Sequence, residues 1–192
     1  MDTVTPEFSR VVREEAMAGG EVVREIEAKA EERQALAVRL KLVAINQLKA
    51  TVRLWRLDGS RKVRVRGRLW ADVVQSCVVS LEPVPAQVDE EFGALFAPLS
   101  LIEAERADGV LGDLVLDPFA IDEDLPEPIA EGGIDIGELT AQHLSLALDP
   151  YPRRPGVVFA GFDDDGAEAE AEAKNAANPF RALARLKASD PS

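Results

Sequence analysis

Two stretches in which apolar and polar residues alternate, 47–57 and 61–80, stand on either side of Asp58-Gly59, and this pattern leaves the chain few options. A period of two sends successive side chains to opposite faces of a strand, and Asp-Gly supplies the turn that joins antiparallel neighbours. The two stretches are therefore expected to form a β-hairpin. In the second, Val63, Val65, Leu69, Ala71, Val73, Cys77 and Val79 share one parity, whereas Lys62, Arg64, Arg66 and Arg68 share the other. One face belongs to a core, and the opposite face begins strongly basic.

Pro83 and Pro85 are expected to end the run, after which Val88, Phe92, Ala94 and Phe96 suggest a returning strand. Upstream, residues 28–42 are good helix formers, with Ala30, Leu36, Leu40 and Val43 near one face. Val22, Val23 and Ile26, downstream of the Gly19-Gly20 break, fit either a short strand or an extension of that helix. Residues 97–133 are rich in Pro, Gly, Asp and Glu, which reads as a long acidic connection whose apolar island at 110–116 adds an edge strand at most. Asp135, with Glu138 three residues on, resembles a capping box and starts a buried helix that runs to Pro150. The following YPRRP, residues 151–155, is excluded from helix by its prolines and is expected to lie extended across the domain. The fold class is thus α+β: an antiparallel sheet of three to five strands within 47–116, flanked by helices near 28–42 and 135–148. One domain covers 1–162, an acidic linker 163–177, and a short amphipathic helix 178–188, the last two forming a flexible acidic tail.

A chain of 192 residues with 46% hydrophobic content can bury a real core, and at 5% aromatic that core is mainly Val, Leu, Ile and Ala. The formal charge of −13 opposes generic adhesion to nucleic acid or to an anionic membrane, so any RNA contact has to be local. One cysteine forms no internal disulfide, the first residues lack the apolar core of a secretory signal, and no run approaches the ~20 apolar residues of a spanning helix. A cytoplasmic protein with no membrane partner is expected. There is no nucleophile elbow, Walker loop or dinucleotide fingerprint, and the lone His143 borders an apolar stripe, so neither catalysis, a cofactor nor a small-molecule substrate is expected.

The composition does single out one band. Between residues 51 and 68 stand seven cations, Arg53, Arg56, Arg61, Lys62, Arg64, Arg66 and Arg68, against one acid, Asp58. Guanidinium groups two residues apart on one strand face can track successive phosphates, and each offers a bidentate pair of donors. The alternative is a solvated outer face that pairs with the chain's own acids. Trp55 and Trp70 stand near enough to stack on a base, although such residues more often belong to a core or a sheet rim. Near the end, Asn178 caps a helix begun by Pro179, in which Phe180, Leu183, Ala184 and Lys187 line one side and Arg181 and Arg185 add charge. It serves either as a docking peptide for a partner or as a helix packed back on its own domain.

The stretch 67–84, GRLWADVVQSCVVSLEPV, with Cys77, Leu81, Glu82 and Pro83, resembles the signature of the YceD family, associated with accumulation of large-subunit ribosomal RNA. The segments AEERQALAVRLKL, DIGELTAQHLSLALDPYPRRPG and NPFRALARLK fall in that family's order. The resemblance implies a non-catalytic factor that supports 23S ribosomal RNA accumulation, processing or large-subunit assembly, with ribosomal RNA or ribosome-assembly proteins as partners. A different reading is an adaptor that acts through a protein partner without touching RNA. Family members often carry Cys-x-x-Cys at this place, and some a second pair that together hold zinc. Here the local pattern is Cys77-Val78-Val79-Ser80, so no metal is expected and Cys77, which shares the core parity, is expected to be a buried, inert thiol.

Overall fold

In the computed structural model the described residues are 6–57, 59–107, 125–130 and 132–157. Residues 47–57 and 61–80 do fold back on each other. They lie within β3 (Ala44–Arg56) and β4 (Val63–Ser76), which pair antiparallel along their length. β3 starts earlier than the alternation suggests because the register shifts between Ile45 and Gln47, a bulge that breaks the period of two. A short β1 (Val11–Val12) precedes β2 (Val22–Glu27), which settles the ambiguity upstream of the helix in favour of a strand. Then come α1 (Ala30–Arg39), β3, β4, β5 (Pro83–Ala97), α2 (Leu99–Ala107), β6 (Glu127–Pro128), β7 (Ile134–Asp135) and α3 (Ile136–Ala147). The main sheet has the order β2-β3-β4-β5-β6, antiparallel except for the short β5/β6 contact, and β1 pairs with β7 in a separate ribbon.

Two expectations about β4 and β5 are corrected. β4 ends at Ser76 rather than at residue 80, because residues 77–82 form a turn: Cys77 N–H donates to Glu82 C=O at 2.8 Å, Leu81 N–H donates back to Cys77 C=O at 2.9 Å, and Leu81 adopts φ 59°. Pro83 and Pro85 do not end a strand but begin β5, opposite Ser76 and Val74. They are tolerated there because β5 meets β6 only at Phe96 and Ala97, leaving its other edge without a ladder at the prolines.

The alternation decides which face is buried. Leu48, Val52 and Leu54 of β3, with Val63, Val65, Leu69 and Val73 of β4, lie at no more than 0% exposure and point inward with Val88, Phe92, Ala94 and Phe96 of β5. This inner face is covered by α1 through Leu36 and Ala37, by α3 through Leu139, Ala141 and Leu144, and by Phe8, Val12 and Met17 of the N-terminal segment. His143 borders this layer and stacks on the Phe92 ring, 4.7 Å between centroids. The Thr140 hydroxyl, buried in α3, donates to the Ile136 carbonyl at 2.7 Å, and no buried side-chain nitrogen or oxygen among the described residues lacks a partner.

α3 begins as its sequence predicts. Asp135 accepts from the N–H groups of Gly137 and Glu138, although Glu138 does not complete a box, since both of its carboxylate oxygens accept from Arg39 of α1 instead. Residues 151–155 are non-helical, as expected, and pack on the 77–82 turn, where Val78 N–H donates to the Pro152 carbonyl at 2.9 Å. The described residues up to Pro155 form one compact unit. The island at 110–116, the acidic linker 163–177 and the helix 178–188 lie outside the described residues, and with them Pro179, Phe180, Leu183, Arg185 and Lys187. Among the described residues no helix is long and apolar enough to cross a membrane.

Candidate functional site

The outer face of the main sheet is built by the residues of opposite parity. Directly opposed across β2, β3, β4 and β5 are Glu25, Thr51, Arg68 and Glu91 in one row, and Glu27, Lys49, Trp70 and Asp89 in the next. The row beyond contains Val23, Arg53, Arg66 and Gly93. The twisted sheet leaves an open trough of ≈ 920 Å³ over the first two rows and the Arg53–Arg66 pair. At the hairpin-turn end α2 closes over the same face, since the outward-parity Ala97 of β5 is buried with Ile102 and Leu101, and Lys62 Nζ lies 2.8 Å from Glu105 Oε1.

The seven cations expected to act together divide into two groups. Arg68 makes a bidentate pair with Asp89, at 2.6 and 2.8 Å, which raises the pKa of the guanidinium and holds the Asp89 carboxyl below its ordinary value. Lys62 is tied to Glu105, and Arg56, at the end of β3, reaches Glu14 at 3.4 Å. Lys62 and Arg68 thus behave as an outer face paired with the chain's own acids, whereas Arg56 has the parity of the inner face. Arg64 lies on the outer face opposite Trp55 and Leu95 and is itself engaged. Arg53 and Arg66 stand directly opposite each other on neighbouring strands, both exposed, and neither makes an ion pair among the described residues. Arg61 is exposed in the hairpin turn without an ion pair among the same residues.

A cross-strand pair of like charges destabilises a sheet, by about 0.2–1 kcal/mol on the scale of such pairs. Nothing in the fold of β3 or β4 requires guanidinium groups at 53 and 66, and threonine or valine would suit a strand better. The two arginines therefore set like charges side by side at one end of the trough, where a bound anion would relieve their repulsion, while over the whole trough four cations face four acids. Trp55 and Trp70 are both half-buried on this face rather than in the core, and Lys49 Nζ lies 4.8 Å from the Trp70 ring centroid.

Sequence reasoning missed the acids that frame the cations, Glu25 and Glu27 on β2 and Asp89 and Glu91 on β5. A signal was present, because Asp89 and Glu91 alternate with Val88 and Phe92 and so belong to the outer face of the returning strand. For β2 the sequence left strand and helix open, and no parity could be assigned.

The second candidate region is the 77–82 turn. Cys77 is fully enclosed, as its parity predicts, but its surroundings are polar. The Ser80 hydroxyl and the N–H groups of Arg154 and Ser80 point at the sulfur, the last two at 3.4 Å, and these donors pull the thiol down to about 6 against the opposing effect of burial. These donors favour the thiolate, while enclosure keeps reagents from the sulfur. Glu82 accepts from Arg154 at 2.5 Å, so the turn is stitched to residues 152–154 by hydrogen bonds and an ion pair. The donor set does not suit zinc: a single thiol stands where four ligands are needed, and among the described residues no group of three or more His, Cys, Asp and Glu converges. Leu81 is 78% exposed and, with Pro83, forms the outer surface of the turn.

No curated protein and no solved structure matches the chain. A family model does, described as "Large ribosomal RNA subunit accumulation protein YceD", over residues 65–187. The match starts inside β4, so it takes in Arg66, Arg68, the 77–82 turn, α3 and the residues 179–187, and leaves β3 with Arg53 outside. Because it spans well over half of the chain and includes the turn in which Cys77, Leu81, Glu82 and Pro83 stand, the chain belongs to the YceD family.

Proposed function

We propose that this protein supports the accumulation of large-subunit (23S) ribosomal RNA by binding RNA on the outer face of its sheet, without catalysing a reaction. The observation that carries the reading is the pair Arg53 and Arg66, directly opposed and without ion-pair partners among the described residues, within a trough also lined by Trp70. Phosphate oxygens satisfy such a pair, and RNA is the anion that the family description brings to mind. A chain of net charge −13 then contacts RNA only where the band of cations is presented, which favours a local contact over coating of the nucleic acid. A cytoplasmic location is part of the same proposal.

A second reading has support of its own. Arg56, Lys62 and Arg68 are already neutralised by Glu14, Glu105 and Asp89, so the positive field over the hairpin is weaker than its composition suggests. An adaptor that reaches the ribosome through an acidic surface of an assembly protein would use the same arginines. Affinity capture of the tagged chain from growing cells, with and without ribonuclease, separates the two. Direct RNA binding predicts that large-subunit RNA is captured by the wild-type chain, is lost with Arg53→Glu combined with Arg66→Glu, and that associated proteins fall away on ribonuclease treatment. Protein partners that persist after ribonuclease and vanish in the double variant favour the adaptor.

A further inference from the structure

The outer face is basic only along its middle. On one flank β2 presents Glu25 and Glu27, on the other β5 presents Asp89 and Glu91, and between them lie Lys49 and Arg53 of β3 and Arg66 and Arg68 of β4. Asp89 is engaged by Arg68, Glu91 lies directly opposite Arg68 and acts on its charge across the strands, and Glu25 makes no ion pair among the described residues. β2 and β5 are separated by three strand spacings, about 14 Å at the usual distance between neighbours.

We infer that the trough takes an unpaired, single-stranded stretch of RNA laid along β3 and β4, and that its acidic flanks turn away a duplex; this rests on the RNA-binding reading above. One extended backbone fits between the flanks with its phosphates towards Arg53 and Arg66, Arg68 being already held by Asp89. A duplex carries two phosphate rows. With one row seated on the arginines, the other comes over Glu25 and Glu27 or over Asp89 and Glu91, where like charges meet across a distance shorter than a screening length of ~8 Å at physiological salt. The aromatic residues agree with this choice. Trp55 is the next outward-facing residue along β3 from Arg53, half-buried, and an indole ring at such a place stacks only on a base that is free of a helix.

The test is fluorescence anisotropy with the full chain and two labelled probes, an unstructured RNA of roughly a dozen nucleotides and a blunt RNA duplex of the same length. At physiological salt the single strand is expected to bind at least about tenfold more tightly than the duplex. The variant carrying Glu25→Gln, Glu27→Gln and Glu91→Gln should narrow that gap by strengthening duplex binding; an unchanged gap overturns the acidic flanks as its cause. Duplex binding by the wild-type chain as tight as single-strand binding overturns the inference and leaves RNA binding standing. Binding of neither probe overturns both the inference and the RNA reading on which it rests.

Discussion

Gly67 faces Phe92 across β4 and β5, and a Cβ at that position would lie 2.3 Å from the Phe92 ring. The ring cannot simply move aside, because its other side stacks on His143 of α3. Gly67→Ala is therefore expected to destabilise the fold by about 1–3 kcal/mol, seen as a lower urea midpoint with an unchanged slope. Gly67 has the parity of Val65 and Leu69, but what fills its place comes from a different strand and is held by a helix, and neither is visible in a local pattern. Arg53 gives the opposite prediction. Replacing it with threonine removes a like-charge neighbour of Arg66 and supplies a better strand former, so Arg53→Thr should raise stability by about 0.2–1 kcal/mol while weakening RNA capture. A variant that loses stability together with capture would show that Arg53 serves the fold.

Asp135 does more than cap α3. Its carboxylate also accepts from the Ser9 hydroxyl at 2.5 Å and from the Arg10 N–H at 2.7 Å, which latches the N-terminal segment to the start of the helix beside the β1/β7 ribbon. Arg10 in turn bridges to Glu32 of α1, and Arg39 of α1 bridges to Glu7 and Glu138, so three separate stretches of chain meet around α1 and α3. Asp135→Ala should cost about 2–3 kcal/mol, more than a cap alone, and should speed amide exchange at residues 9–12; loss of the cap by itself would leave those amides protected. The cap was readable because donor and acceptor lie within three residues. The latch was not, since Ser9 and Asp135 are 126 positions apart. The same division holds across the elements. The long strands and α3 follow from local period and capping, whereas the bulge between Ile45 and Gln47, the prolines of β5 and the strand state of β2 depend on which neighbour, if any, lies alongside.

The molecule as a whole carries strong negative charge around one band of cations, and the fold sorts that band instead of presenting it intact. Composition counted all members of the band equally, because a sequence does not disclose that Arg56 takes the inner-face parity, that Arg61 falls in the turn, or which acids the returning chain brings to Arg56, Lys62 and Arg68. What remains is the pair Arg53 and Arg66, with acids flanking the neighbouring rows, in a chain that belongs to the YceD family. The most direct test of the proposed role is the ratio of mature large-subunit to small-subunit ribosomal RNA in cells depleted of this protein and rescued by either the wild-type chain or one carrying Arg53→Glu and Arg66→Glu. The account predicts a large-subunit deficit that the wild-type chain restores and the folded double variant does not. Equal rescue by both would contradict the placement of the function on this face, and an unchanged ratio on depletion would contradict the role itself.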